Sequence, residues 1–217
     1  MNIKERAERL FSWAEKQYLG DHVDTWRSHS MNVARAAETI VIAVRKQELK
    51  QGINPTIDPD RAYSCGYLHD LGRSAGEHVG LEHPIIGYHL LRDHGFPLEA
   101  QISMTHGYYA YKKINRSEYW EEFTDAELLH FTRDYLENVE LTDYDYLIQL
   151  CDNMAHHSGI MTIDGRFADI LVRHDNIRNA GTHLKELYKL KKYFDNKAGL
   201  NIYDLFKDEI IRTTLEK

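Results

Sequence analysis

His69 and Asp70 stand side by side in "SCGYLHDLGR", residues 64–73. Imidazole and carboxylate coordinate cations together, and imidazole also moves protons near neutral pH. The pair closes an apolar segment, where a lone buried carboxylate is costly. Helical phase puts more such groups on apolar faces. His29 shares a face with Val33, Ala36 and Ile40, and His69 with Ala62, Cys65 and Gly66. His83 is followed by Ile86, Gly87, Leu90 and Leu91, and His106 follows Ile102 by four residues. Asp152 is in phase with Ile148, Cys151 and Ala155.

One histidine on an apolar face is ordinarily a hydrogen-bonded core residue. Five inward segments that each bring lone pairs are satisfied together by a metal centre. His29, His69, Asp70 and Asp152 make one set of ligands. His83 and His106 would help to hold a second ion, with Asp70 bridging through its two oxygens. His22, His78, His89, His94, His130 and His183 fall in polar or unphased surroundings and read as structural or surface residues. His156, one turn after Asp152, is a candidate partner for that carboxylate.

Helices must position these groups. "DPDRAYSCGYLHDLG" offers Asp58 as N-cap, Pro59 at the first helical position and Gly72 as the stop. "HPIIGYHLLRDHG" and "FPLEAQISMTHG" repeat the scheme with Pro84 and Gly95, then Pro97 and Gly107. Other helical periodicities cover about 4–18, 24–49, 124–138, 142–157, 165–178, 180–195 and 202–215. No alternating strand pattern lies between them, so the fold class is all-α. The Tyr- and Lys-rich stretch 107–120 is the least regular, and is either a site-lining loop or a solvated connector.

The 217 residues suggest one domain with accessory C-terminal helices over 180–215. The formal charge of -7 gives no general footprint for nucleic acid or an anionic membrane. No secretory leader opens the chain, and no apolar run approaches the ~20 residues of a membrane span. Cys65 and Cys151 read as buried, reduced core residues of a cytoplasmic protein.

The ordered set His29, His69–Asp70, Asp152 resembles the signature of the HD-domain superfamily of metal-dependent phosphohydrolases. "RSHSMNVARAA", "GYLHDLGR", "LEHPIIGYHLLRDHGFP" and "ISMTHG" resemble successive segments of that family, and the likeness covers about residues 24–178. The resemblance implies a helical bundle around a metal site. The six-ligand form, His29, His69, Asp70, His83, His106 and Asp152, is similar to the dinuclear subgroup. That subgroup includes hydrolases of dinucleoside polyphosphates and diiron oxygenases, so the ligands alone do not fix the reaction. Where many members have Lys after the HD pair, this chain has Arg73; both cations hold phosphate.

The expectation is a hydrolase of a phosphate ester or anhydride, acting on a nucleotide or other small phosphorylated metabolite. Two divalent ions would activate the attacking water, with Fe or Mn favoured and Zn, Ni, Co or Mg as alternatives. Asp70 would bridge the ions and orient the water. Arg73 would bind a phosphate oxygen, with Arg27 and Arg166 as weaker candidates. The rival readings are an oxygenase on the same ligands and a non-catalytic nucleotide-binding or regulatory module. A homodimer is left open.

Overall fold

The computed structural model describes residues 1–18, 21–76, 82–111, 125–174 and 179–215. His78 and residues 112–120 of the Tyr-rich stretch lie outside the described residues, as does 175–178 of the helix expected over 165–178.

Helix α2 (Val23–Lys50) is the spine. Its 28 residues extend about 42 Å at 1.5 Å per residue. The face bearing Val33, Ala36, Ala37, Ile40, Val41 and Val44 is buried. Helix α3 (Pro59–Leu68) packs along it. Asp58 caps α3 by accepting the Arg61 N–H at 3.0 Å, and Pro59 opens the helix. Gly66 lets the two backbones meet: a Cβ there would lie 2.7 Å from Ala34 Cα.

Helix α1 (Ile3–Glu15) covers α3 through Ala7, Leu10, Phe11 and Ala14, which join Trp26, Tyr67 and Leu68 in one apolar cluster. Helices α4 (His83–Asp93) and α5 (Pro97–Thr105) pack together, and α6 (Ala126–Asn138) and α7 (Asp143–Asp152) follow. Helices α8 (Ile163–His174), α9 (Ala180–Ala198) and α10 (Lys207–Leu215) complete the bundle. Leu187, Phe194 and Ala198 of α9 enter the main core with Leu147, Ile148 and Cys151 of α7. Cys65 and Cys151 are both free and buried. Among the described residues, no helix is long and apolar enough to cross a membrane.

Three boundaries differ from the sequence expectation. Helix α3 ends at Leu68 rather than at Gly72; Asp70 already has φ −104° and ψ 18°, and Leu71–Ala75 form a 3-10 turn. Gly72 is therefore not a helix stop. It is a contact point, because a Cβ there would collide with the His83 carbonyl at the start of α4. The helix expected to continue to 157 ends at Asp152. A two-stranded antiparallel ribbon follows, β1 (Ala155–His156) with β2 (Gly159–Ile160). Gly159, at φ 141°, supplies the conformation that the ribbon turn needs. Residues Ile202–Phe206 form a 3-10 turn before α10.

The Gly66 contact makes a direct prediction. Gly66→Ala must push α3 from α2, and overpacking of this kind costs about 1–3 kcal/mol. A Cβ on Gly107 meets nothing within 4 Å, so Gly107→Ala is expected to be neutral or slightly stabilising. Denaturant titration of both variants checks the contrast; equal stabilities would refute the close approach.

Candidate metal centre

Each polar group singled out in the sequence is delivered near a helix end. His29 lies in the second turn of α2, and His69 and Asp70 follow the last residue of α3. His83 is the first residue of α4, His106 follows the last residue of α5, and Asp152 is the last residue of α7. The end of α3 explains how adjacent residues share one centre. On a continuous helix they would diverge by about 100°. Asp70 instead leaves the helical backbone and turns back towards the other groups.

The six side chains converge. His29 Nε2 is 3.0 Å from Asp152 Oδ1, and His69 Nε2 is 3.7 Å from the same oxygen. His69 Nε2 is also 3.7 Å from Asp70 Oδ2. The other oxygen, Asp70 Oδ1, is 3.1 Å from His83 Nε2 and 3.5 Å from His106 Nε2. His69, Asp70, His83 and His106 are all buried. Two rings are oriented from behind. His69 Nδ1 lies 2.7 Å from the Gly66 carbonyl, and His106 Nδ1 lies 2.8 Å from that of Ser103. A carbonyl only accepts, so each Nδ1 carries the proton and each Nε2 lone pair faces the centre.

Burial and neighbouring charge oppose each other at these groups. Burial opposes the Asp70 charge, but Arg73, His69 and His83 outweigh it and hold the carboxyl well below its usual range. Burial also opposes ionised Asp152, and the neighbouring His29 and His69 imidazoles outweigh it and hold the carboxyl well below its usual range. At His29 and His83, burial prevails over the neighbouring carboxylates and lowers the pKa, favouring neutral rings. At His69 the balance reverses, and Asp70 with Asp152 raises its pKa in spite of burial.

Whether a cation fits is answered by orphaned atoms. Among the described residues, His69 Nε2 and Asp70 Oδ1 are buried without a hydrogen-bond partner. Neither short contact of Asp70 Oδ1 with an imidazole is a formed hydrogen bond. Unsatisfied buried acceptors cost about 1–3 kcal/mol each, and a divalent cation would satisfy both. Two groups have donor atoms mutually within 4.8 Å: His29, His69 and Asp152, and His69, Asp70 and His106. His69 belongs to both, and His83 adjoins the second.

The three arginines separate. Arg73 Nε donates to Asp70 Oδ2 at 2.7 Å, while 43% of its side chain remains exposed. Arg166 is largely buried and pairs with Asp169 at 2.5 Å, and its Nε has no hydrogen-bond partner. Its charge acts on Asp152, although burial lowers its own pKa. Arg27 is engaged elsewhere: Glu15 and Asp24 take its guanidinium. Among the described residues, that ion pair is where the Arg27 guanidinium is held.

His156 meets Ser158 at 2.8 Å and Asp169 at 3.8 Å, which puts it in the ribbon turn beside the Arg166 pair. His89 stacks on Phe131, His94 holds the Leu90 carbonyl, and His183 meets the Tyr109 hydroxyl. Sequence reasoning passed over Thr105, Asp145 and Gln149, which join the end of α5 to α7. The signal was present, since 145, 149 and 152 share one helical face.

No curated protein and no solved structure matched the chain in comparison. The family model described as HD domain matches residues 26–156, more than half of the chain and the span holding all six converging side chains. The chain belongs to the HD domain family, a family of metal-dependent hydrolases.

Proposed function

We propose that this protein is a phosphohydrolase that cleaves a phosphate ester or anhydride of a nucleotide or another small phosphorylated metabolite. Its centre would be the six-residue form, with His29, His69, Asp70 and Asp152 around one divalent ion. Asp70, His83 and His106 would surround a second. One observation carries this reading: the two oxygens of Asp70 face different partners, Oδ1 towards His83 and His106 and Oδ2 towards His69. A carboxylate so arranged could hold a cation on each side. Fe or Mn suits a site rich in imidazole and carboxylate.

Bound divalent ions would neutralise phosphoryl oxygens and lower the pKa of a coordinated water from about 15.7 to about 7. The chain supplies the rest. Asp70 orients the attacking water through whichever lone pair remains. Arg73, anchored by Nε on Asp70, presents its outer N–H groups to a phosphate oxygen, the geometry in which guanidinium binds bidentately. Arg166 offsets charge on the Asp152 side. With a net charge of -7, the chain must attract an anionic substrate through such local cations.

Purified protein is expected to carry divalent metal and, with that metal retained, to release phosphate from a member of a panel of phosphorylated metabolites. Asp70→Ala should lose bound metal and, at several kcal/mol of lost stabilisation, on the order of 100-fold or more in kcat. Full activity in that variant would remove Asp70 from the mechanism. Oxygen consumption with iron but not with zinc would replace hydrolysis by an oxygenase.

Arg73 makes a separate prediction. Arg73→Lys keeps a cation beside Asp70 but loses the fork. KM should rise about 10-fold or more, as one charge-assisted hydrogen bond is worth about 1.5–3 kcal/mol, with metal content unchanged. Steady-state kinetics with metal analysis would show it; an unchanged KM would refute substrate contact.

A further inference from the structure

Behind His106 lies a buried polar network that the metal reading does not use. Thr105, its neighbour at the end of α5, is held twice by α7. Its hydroxyl donates to Asp145 Oδ1 at 2.6 Å, and its carbonyl accepts from Gln149 Nε2 at 2.9 Å. That carbonyl, in the last turn of α5, also accepts the Tyr108 N–H at 3.1 Å, so Gln149 adds a second hydrogen bond to it from a neighbouring helix. Asp145 is fully buried. Besides Thr105, it accepts from Gln101 Nε2 at 2.9 Å and from the Thr142 N–H and hydroxyl, both at 2.7 Å. Four donors hold this one carboxylate, three of them on Oδ2, which leaves it little freedom to move.

The placement of these residues matters more than their number. Positions 145, 149 and 152 are spaced i, i+4, i+7 and so lie on one face of α7. The same rigid face therefore grips the residue before His106 and delivers Asp152. We infer that Asp145, acting through Thr105 with Gln149, is a positioning device for His106: it sets where that imidazole stands relative to Asp152, and hence the register between the two groups of candidate ligands.

Three features support a positioning role over mere packing. The network grips both the side chain and the main chain of residue 105. His106 Nδ1 is fixed to Ser103 on the same turn, so the ring moves with that turn. His106 Nε2 meets His83 Nε2 at 3.3 Å and Asp70 Oδ1 at 3.5 Å, so the stance of the ring among the other candidate ligands follows that turn. Outer partners of metal ligands typically change metal affinity about 10–100-fold when removed.

The inference rests on the proposed metal centre, and Co²⁺ titration of the metal-free full chain tests the two separately. Affinity is read from the isotherm and coordination from the visible absorption of bound Co²⁺. His106→Ala defines the binding step that needs this imidazole. Thr105→Val removes the hydroxyl at nearly constant shape, and Thr105→Ser restores it. Thr105→Val and Asp145→Asn should weaken that step about 10-fold or more and shift the Co²⁺ spectrum, while Thr105→Ser matches the wild type.

In the His106→Ala background, Thr105→Val should weaken binding no further. Thr56→Val, which removes a hydroxyl bound to the buried Glu48 carboxylate near the end of α2 remote from His29, serves as a stability control. It should lower the Tm and leave isotherm and spectrum unchanged. A wild-type isotherm for Thr105→Val, or an equal loss with and without His106, would overturn the positioning role while leaving the metal centre intact. Absence of Co²⁺ uptake by the wild type would overturn the metal centre and this inference with it.

Discussion

One buried and one half-buried carboxylate among four imidazoles impose the constraint on which the rest of this fold depends. An ionised carboxylate away from water is tolerable only with opposite charge and complete hydrogen bonding. Asp70 has Arg73 on one oxygen, but its other oxygen faces only imidazole nitrogens. The chain accepts that cost and arranges five helices to bring it about. Neighbouring helix axes normally stand 8–10 Å apart, so side chains from five helices meet only if several end at the meeting point. Gly66 and Gly72 follow from the same demand. One brings α3 against α2, and the other brings the turn after α3 against the start of α4.

Asp70 divides the centre into two sides. Oδ2 looks towards His69 and Arg73, and Oδ1 towards His83 and His106. His69 is common to both groups, and its Nδ1 is locked to Gly66 within its own helix. The glycine that permits close packing of α3 therefore also supplies the carbonyl that aims the shared imidazole. Packing and chemistry are set by one residue, so a substitution that loosens the helix pair also tilts the ring.

Five of the six converging side chains were legible because each sits on an apolar stripe, where a polar group contradicts its surroundings, and Asp70 because it adjoins His69. Helix starts were legible through Pro59, Pro84 and Pro97, and the stop at Gly95 through the glycine itself, which takes a φ of 75°. Gly72 was misread because a glycine that ends a helix and one that permits a backbone contact look alike in sequence. Arg27 gave no local sign of its partner Glu15, which stands on another helix 12 residues earlier. Thr105 and Asp145 are 40 residues apart, so their bond has no sequence signature. The ribbon at 155–160 was hidden because its apolar residues continue the phase of α7.

The last helix of the described chain is fastened to segments that adjoin the centre. The ribbon follows Asp152 directly, and Asn32 of α2 donates to the His156 carbonyl at 2.7 Å. From the other side, Glu209 of α10 accepts the Ile160 N–H at 3.0 Å and also pairs with Arg35 of α2 at 2.5 Å. Thr213 closes the clasp on the Ile160 carbonyl at 2.8 Å. The segment leaving Asp152 is thus held between the helix that carries His29 and the last helix of the described chain. A 3.0 Å approach of His29 to Asp152 requires those two elements to keep their spacing. The C-terminal helix, through Glu209, fastens both of them.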